Sequence, residues 1–435
     1  MVVLIKTLQV ILALSVLILF HELGHFTFAK LFKIRVEKFY LFFDVGGKAL
    51  FRFKPKNSDT EYGIGWLPLG GYCKISGMVD ESMDTEALKS EPQPWEMRSK
   101  PAWQRLLVML GGVLFNFIFA ILIYIGILAG WGRSYLSNEG SDIYVNELAY
   151  DMGFRTGDHI IALDGEPVEN FGMLQVDMVR NDVSKVQLLR DGDTLNLYLD
   201  RSRVGDMLNS PGMFDIALPF IVDSIPPASV NYGGGLRPGD RIIGLDAIDA
   251  PYLQDARPIL AEHSGGTVSA LVVRDADTLQ MDVAVDTLGR VGVITKAPAI
   301  KVRDYSVLEA IPAGVAYTFE SISGYVKDLK LVFTPSTEAY KSVGSFIAIG
   351  QVFPSHWNWF SFLNILAMLS IMLGVMNLIP IPALDGGHAV FILYEMITRR
   401  KPGVKFLTVM QIIGMILIFG LMILAFGNDI LRLLN

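Results

Sequence analysis

The stretch "LSVLILFHELGHFTFAKLF", Leu14 to Phe32, is soluble in hydrocarbon over most of its length, yet carries His21, Glu22 and His25 in its middle. A charged side chain at the centre of a bilayer costs roughly 2.5–3.5 kcal/mol on insertion scales, so these groups need compensation. "HELGH" has the pattern H-E-x-x-H. On a helix, residues four apart share a face, so His21 and His25 can reach one metal ion while Glu22 stands beside them as a base. Zinc coordination in a wet cavity is one form of compensation. The competing reading takes the three as polar residues that pack one helix on another.

The chain around this stretch is that of a membrane protein. Its 435 residues have a mean hydropathy of +0.41, and only 19% are charged. Four segments have the length and apolarity of spanning helices: about Val2 to Phe32, Leu106 to Trp131, Trp359 to Leu378, and Phe406 to Ile430. The first has a single early charge, Lys6, and no clear small-residue cleavage site, so it reads as a retained span, not a signal peptide.

Charge gives an expected topology. The segment Lys33 to Arg105 and the short loop holding Arg399, Arg400, Lys401 and Lys405 are rich in basic residues and should face the cytoplasm. The hydrophilic insert and both termini then lie outside. That insert has 25 acidic residues against 12 basic ones between Tyr135 and Ile300, the opposite imbalance to the two loops. Cys73 is the only cysteine, which excludes a disulfide framework and a multi-thiolate metal site. No stretch has the basic and aromatic character of a nucleic-acid surface.

The insert contains a repeat. "GFRTGDHIIALDGEPV" (Gly153 to Val168) matches "GLRPGDRIIGLDAIDA" (Gly235 to Ala250) at eight of the first twelve positions. Each copy reads as a turn and a short buried strand, followed by further strands such as "KVQLLRD" and "VSALVVRD". The pattern resembles PDZ domains of the protease-associated kind, which bind extended peptides by adding them to a sheet edge. A duplicated β module without a peptide ligand is the plainer alternative.

Catalytic zinc needs three protein ligands and one open position. Two are His21 and His25. In "NLIPIPALDGG", Asn377 to Gly387, Pro380 and Pro382 end the third span and deliver Asp385 at membrane depth, where irregular backbone is tolerated only around a cavity or inside protein. Asp385 is the best third ligand; His388 and Glu395 are weaker candidates.

These residues together carry a resemblance. H-E-x-x-H in the first span, N-x-x-P-x-P-x-L-D-G after the third, and PDZ-like modules between them look like the site-2 protease family of intramembrane zinc metalloproteases, in its bacterial regulator-of-sigma-E-protease branch. "YGIGWLPLGGYCKISGM" (Tyr62 to Met78) is similar to the family's membrane-associated β-hairpin, and "KPAWQRLLVMLGGVLFNF" (Lys100 to Phe117) to its second-span motif. The resemblance implies His21, His25 and Asp385 as Zn2+ ligands, Glu22 as catalytic acid/base, and Asn377 near the scissile bond. It also implies Gly63, Gly65, Gly70, Gly71 and Asn116 as substrate contacts. Gly112 stands where the family's G-P-x-x-N motif has proline, which leaves a kink there in question. The glycine-rich stretch before the third span, "KSVGSFIAIGQVF", is a loose match.

The expected protein is thus a polytopic α-helical membrane protein with four transmembrane helices, a membrane-associated β-hairpin and two tandem PDZ-like α+β domains. The expected segments are a first half of the protease core (1–135), the two modules (136–215 and 216–302), and an amphipathic linker with the second half of the core (303–435). The expected activity is zinc-dependent hydrolysis of a peptide bond in or near the transmembrane segment of a single-span protein, of the anti-sigma factor or remnant signal peptide type. The outer modules would gate access, the hairpin would hold the unwound substrate as an added strand, and the location would be the bacterial inner membrane, with the active site towards the cytoplasm. The partners are a transmembrane substrate, the lipid bilayer and extended peptides at the modules. An inactive membrane scaffold would not need Glu22. An ion transporter would need polar groups across more of the spans.

Overall fold

The computed structural model describes residues 1–68, 70–78 and 91–434; the central part of the first basic loop, 79–90, lies outside the described residues. The chain divides into two compact units, Met1–Gly132 with Asp304–Asn435, and Arg133–Arg303.

Among the described residues, the first unit contains four helices long and apolar enough to cross a membrane. The first, α1, runs over Val2–Leu31 and the second, α2, over Ala102–Trp131. At 1.5 Å per residue, thirty residues reach about 45 Å, more than the roughly 30 Å of a hydrocarbon core. The third span is Trp359–Leu378 and the last is Val404–Leu434. Leu17 of α1, Ala120 and Ile123 of α2, and Leu366 and Val375 of the third span share one buried cluster. The crossing of α1 and α2 is glycine-dependent: a Cβ on Gly24 would collide with the Gly111 backbone, and one on Gly111 with Gly24. α2 runs unbroken through Gly112, where the family motif has proline.

The third span stops at Leu378, with Ile379 already extended, because Pro380 and Pro382 supply no backbone donors. A helix absent from the sequence reading then begins at Asp385 and runs to Thr398. Gly386 and Gly387 let this turn close, since a Cβ on either would strike the carbonyls of Leu378 or Ile381. The linker ahead of the third span is a 26-residue helix, Val307–Val332, opened by a capping box of Ser306 and Glu309.

Between α1 and α2 lies a mixed sheet of β1 (Val36–Leu41), β2 (Ala49–Phe53), β3 (Glu61–Gly65) and β4 (Tyr72–Ile75), in the order β2-β3-β1-β4. This corrects the expected hairpin. The two strands of "YGIGWLPLGGYCKI" do not pair with each other; β1 lies between them, parallel to β3 and antiparallel to β4. A local run of alternating residues and turn glycines cannot reveal a third strand inserted from earlier in the chain.

The second unit begins and ends with an antiparallel pair, Arg133–Leu136 with Ile300–Arg303. Inside it the sequence repeat becomes a structural one. His159–Leu163 is flanked by Glu166–Pro167 and Lys185–Arg190, with Asp193–Tyr198 at the edge; Arg241–Leu245 is flanked in the same order by Ile248–Asp249 and Thr267–Arg274, with Asp277–Ala284 at the edge. Each copy buries one aspartate under one arginine: Asp158 with Arg190 and Asp240 with Arg274, both at 2.7 Å. Gly157 and Gly239 take φ of +97° and +93° at the equivalent turns, which explains glycine in both copies.

Candidate metal centre

His21 and His25 point from one face of α1 towards the start of the Asp385 helix. His21 Nε2 lies 3.3 Å from His25 Nε2, and each lies 3.3 Å from Asp385 Oδ2. The three atoms form an equilateral triangle. A tetrahedral zinc with bonds of 2.0–2.1 Å places its ligand atoms about 3.3 Å apart, so the triangle has the size the ion requires. Asp385 Oδ2 is buried with no hydrogen-bond donor aligned on it, as expected of an atom that serves a cation. Among the described residues this is the one group of three such side chains close enough to share an ion.

Both histidine rings are oriented from α2. His25 Nδ1 is 2.8 Å from the Val108 carbonyl, which can only accept, so a proton sits on Nδ1, and in the neutral ring the Nε2 lone pair is then free. His21 Nδ1 faces the Asn116 carboxamide at 3.1 Å. The rings themselves rest on Gly112, where a Cβ would stand 2.5 Å from His25 Nε2 and 2.6 Å from His21 Cε1.

The triangle opens into a cavity of about 540 Å³ whose wall includes Glu22, Asn377, His388 and the segment Gly71–Ile75. Glu22 shares this wall with Cys73 of β4. Among the described residues β4 has one neighbour in the sheet, β1, and so stands at its edge. Asn377 Nδ2 lies 3.3 Å from His21 Nε2. Also on the cavity wall, Asp44 accepts hydrogen bonds from Tyr72 Oη and Lys38 Nζ, both at 2.7 Å. Burial alone would raise the Asp44 carboxyl, but these two donors outweigh it and hold the carboxyl below its ordinary value.

The other sequence candidates fall elsewhere. Gly71 reaches the cavity; Gly63 and Gly65 lie on β3, between β1 and β2, and have no free edge to offer a substrate. Gly70 packs beside the Phe43 ring. Asn116 is fully buried and outside the cavity wall, so it is not placed to touch substrate. His388 lines the cavity and hydrogen-bonds Gln411, apart from the triangle. Glu395 pairs with Arg105 at 2.6 Å. The sequence reading missed Val108, whose role lies in its carbonyl, and Gln411, an isolated amide in the last span; neither carries a motif.

The model of peptidase family M50 matches residues 9–421 of this chain. Relatives that bear the name "Putative zinc metalloprotease" include the following three. One from Neisseria meningitidis is 27% identical over 98% of this chain and 99% of its own length. One from Borreliella burgdorferi is 29% identical over 98% of each chain. One from Vibrio cholerae is 26% identical over 97% of this chain and 98% of its own.

Proposed function

Because this chain belongs to peptidase family M50, the site-2 zinc metalloproteases, we propose that it cleaves a peptide bond within or beside the transmembrane segment of single-span proteins, of the anti-sigma factor or remnant signal peptide type. The observation that carries this reading is the position of the base: Glu22 stands between two candidate zinc ligands on a membrane span and against the edge of β4. Zinc, when bound, supplies a Lewis acid for the scissile carbonyl and lowers the pKa of water to about 7.

The residues of the chain do the rest. Glu22 accepts a proton as the attack begins and returns it to the leaving amine. With the His21 Nε2 lone pair committed to a metal, Asn377 Nδ2 is left to donate to the substrate carbonyl as negative charge develops there. A transmembrane helix hides its carbonyls in hydrogen bonds, so the substrate must be held extended. The edge that β4 presents among the described residues can do this by strand addition, in the role first expected of a hairpin.

The duplicated modules of the second unit are read as PDZ-like, on the outer side of a bacterial cytoplasmic membrane, with the basic loops and the active site towards the cytoplasm. They select substrates by excluding bulky outer domains, which needs no tight peptide contact. The test is zinc analysis of the purified protein together with cleavage of a single-span reporter in liposomes. Stoichiometric zinc and a cut inside the reporter's membrane segment support the proposal. A zinc-loaded protein that cuts only soluble peptides would defeat the intramembrane reading.

A further inference from the structure

Asn116 has the environment of a group that serves the metal centre from behind. It is fully buried on α2, and its backbone carbonyl accepts a hydrogen bond from Ser370 Oγ at 2.8 Å, which ties α2 to the third span at this residue. Its Nδ2 faces His21 Nδ1 at 3.1 Å, while its Oδ1 is buried without a partner. A carboxamide can exchange its two ends by a half-turn about the terminal bond, so the chemistry of the neighbour decides which end belongs where.

That neighbour is His21, whose Nε2 is one corner of the ligand triangle. Use of the Nε2 lone pair by a metal leaves the ring proton on Nδ1. A protonated Nδ1 needs an acceptor, and the amide nitrogen is not one. We propose that Asn116 presents Oδ1 to the His21 Nδ1–H in the zinc-loaded protein and is a positioning residue for this ligand, in place of the substrate contact implied by the family resemblance. The inference rests on the metalloprotease reading and deepens it. His25 shows the same device, with Val108 O as the acceptor. Val108 and Asn116 stand about two turns apart on α2, so one helix sets the tautomer of both histidines.

The test uses full-length protein in detergent with two substitutions. Asn116→Leu keeps the shape and removes the acceptor; Asn116→Asp keeps an acceptor. Zinc retention is measured by competition with a chelator, and KM and kcat are measured at saturating zinc. Asn116→Leu should lose zinc affinity by about 10–100-fold with KM unchanged, and Asn116→Asp should retain wild-type affinity. Equal loss in both variants would reduce Asn116 to a packing residue. Unchanged zinc affinity with a raised KM in the leucine variant would restore the substrate-contact role. A zinc-free wild type would overturn the metalloprotease reading itself and this inference with it. A second measurement does not depend on the folding of the leucine variant. In wild-type protein with 15N-labelled histidine, zinc loading should leave His21 protonated at Nδ1 and protected from solvent exchange, with a resonance that Asn116→Asp moves; an unprotected Nδ1–H at His21 would refute the assignment.

Discussion

His21 Nε2 and Asp385 Oδ2 stand 3.3 Å apart, although one belongs to the first membrane span and the other opens a helix beyond the third. An unprotonated imidazole nitrogen and a carboxylate oxygen both offer lone pairs, so their close approach calls for a proton or a cation between them. Zinc satisfies this demand for all three corners of the triangle at once.

Glu22→Gln keeps the size of the side chain and removes the base. Hydrolysis of a single-span reporter should fall by about 10²–10⁴-fold while zinc stays bound. Metal analysis and turnover are measured on the same preparation, and substantial residual cleavage would assign the base elsewhere.

Asp385→Ala removes one corner of the triangle. Its zinc content should drop along with activity, and added zinc should restore chelator-treated wild type but not the variant. If the variant keeps its zinc, the third ligand is another residue, with His388 on the cavity wall the first to examine.

Gly24→Val places a side chain where the α1 and α2 backbones touch. Overpacking of this kind typically costs about 1–3 kcal/mol. Because α1 carries the candidate ligand histidines and α2 the groups that face their rings, zinc affinity should weaken together with thermal stability. Wild-type values for both would mean that the two helices can separate locally without disturbing the centre.

Gly157→Val and Gly239→Val force a β-branched residue into the left-handed backbone region in both modules. Two reporters share one membrane segment; one has a trimmed outer tail and the other a folded outer domain. Intact enzyme should cut mainly the trimmed form, and the doubly substituted enzyme both. Equal cutting of the two by intact enzyme would end the size-selection idea. Loss of all cutting after substitution would make the modules necessary for assembling the centre.

Asp240 makes the second module acid-sensitive. Burial would raise its carboxyl, but the Arg274 guanidinium and the Arg237 backbone N–H outweigh burial and hold it below the ordinary value. A depressed carboxyl lends stability above the unfolded value of about 3.9 and loses it as pH falls through the lower folded value. Amide protection in Arg241–Leu245 and Thr267–Arg274 should therefore decline below about pH 4. In Asp240→Ala it should already be reduced at neutral pH, by about tenfold or more. A variant with wild-type protection would show that Arg274 finds equivalent acceptors.

The sequence by itself determined what depends on short-range periodicity. Four apolar runs specify the spans, the spacing of His21 and His25 specifies a shared helix face, Pro380 and Pro382 specify where the third span stops, and the duplicated glycine-aspartate turns specify a repeated module. Each follows from one or two turns of chain or from self-similarity along it. Only the tertiary structure decided that β1 separates β3 from β4, that Glu395 is held by Arg105, and that the Asn116 carboxamide lies behind His21 and off the cavity wall. These depend on contacts between segments distant in the chain, where hydrogen-bond partners are chosen by packing: a buried amide or carboxylate binds whatever the neighbouring helix presents, and the identity of that neighbour is written nowhere near the residue itself.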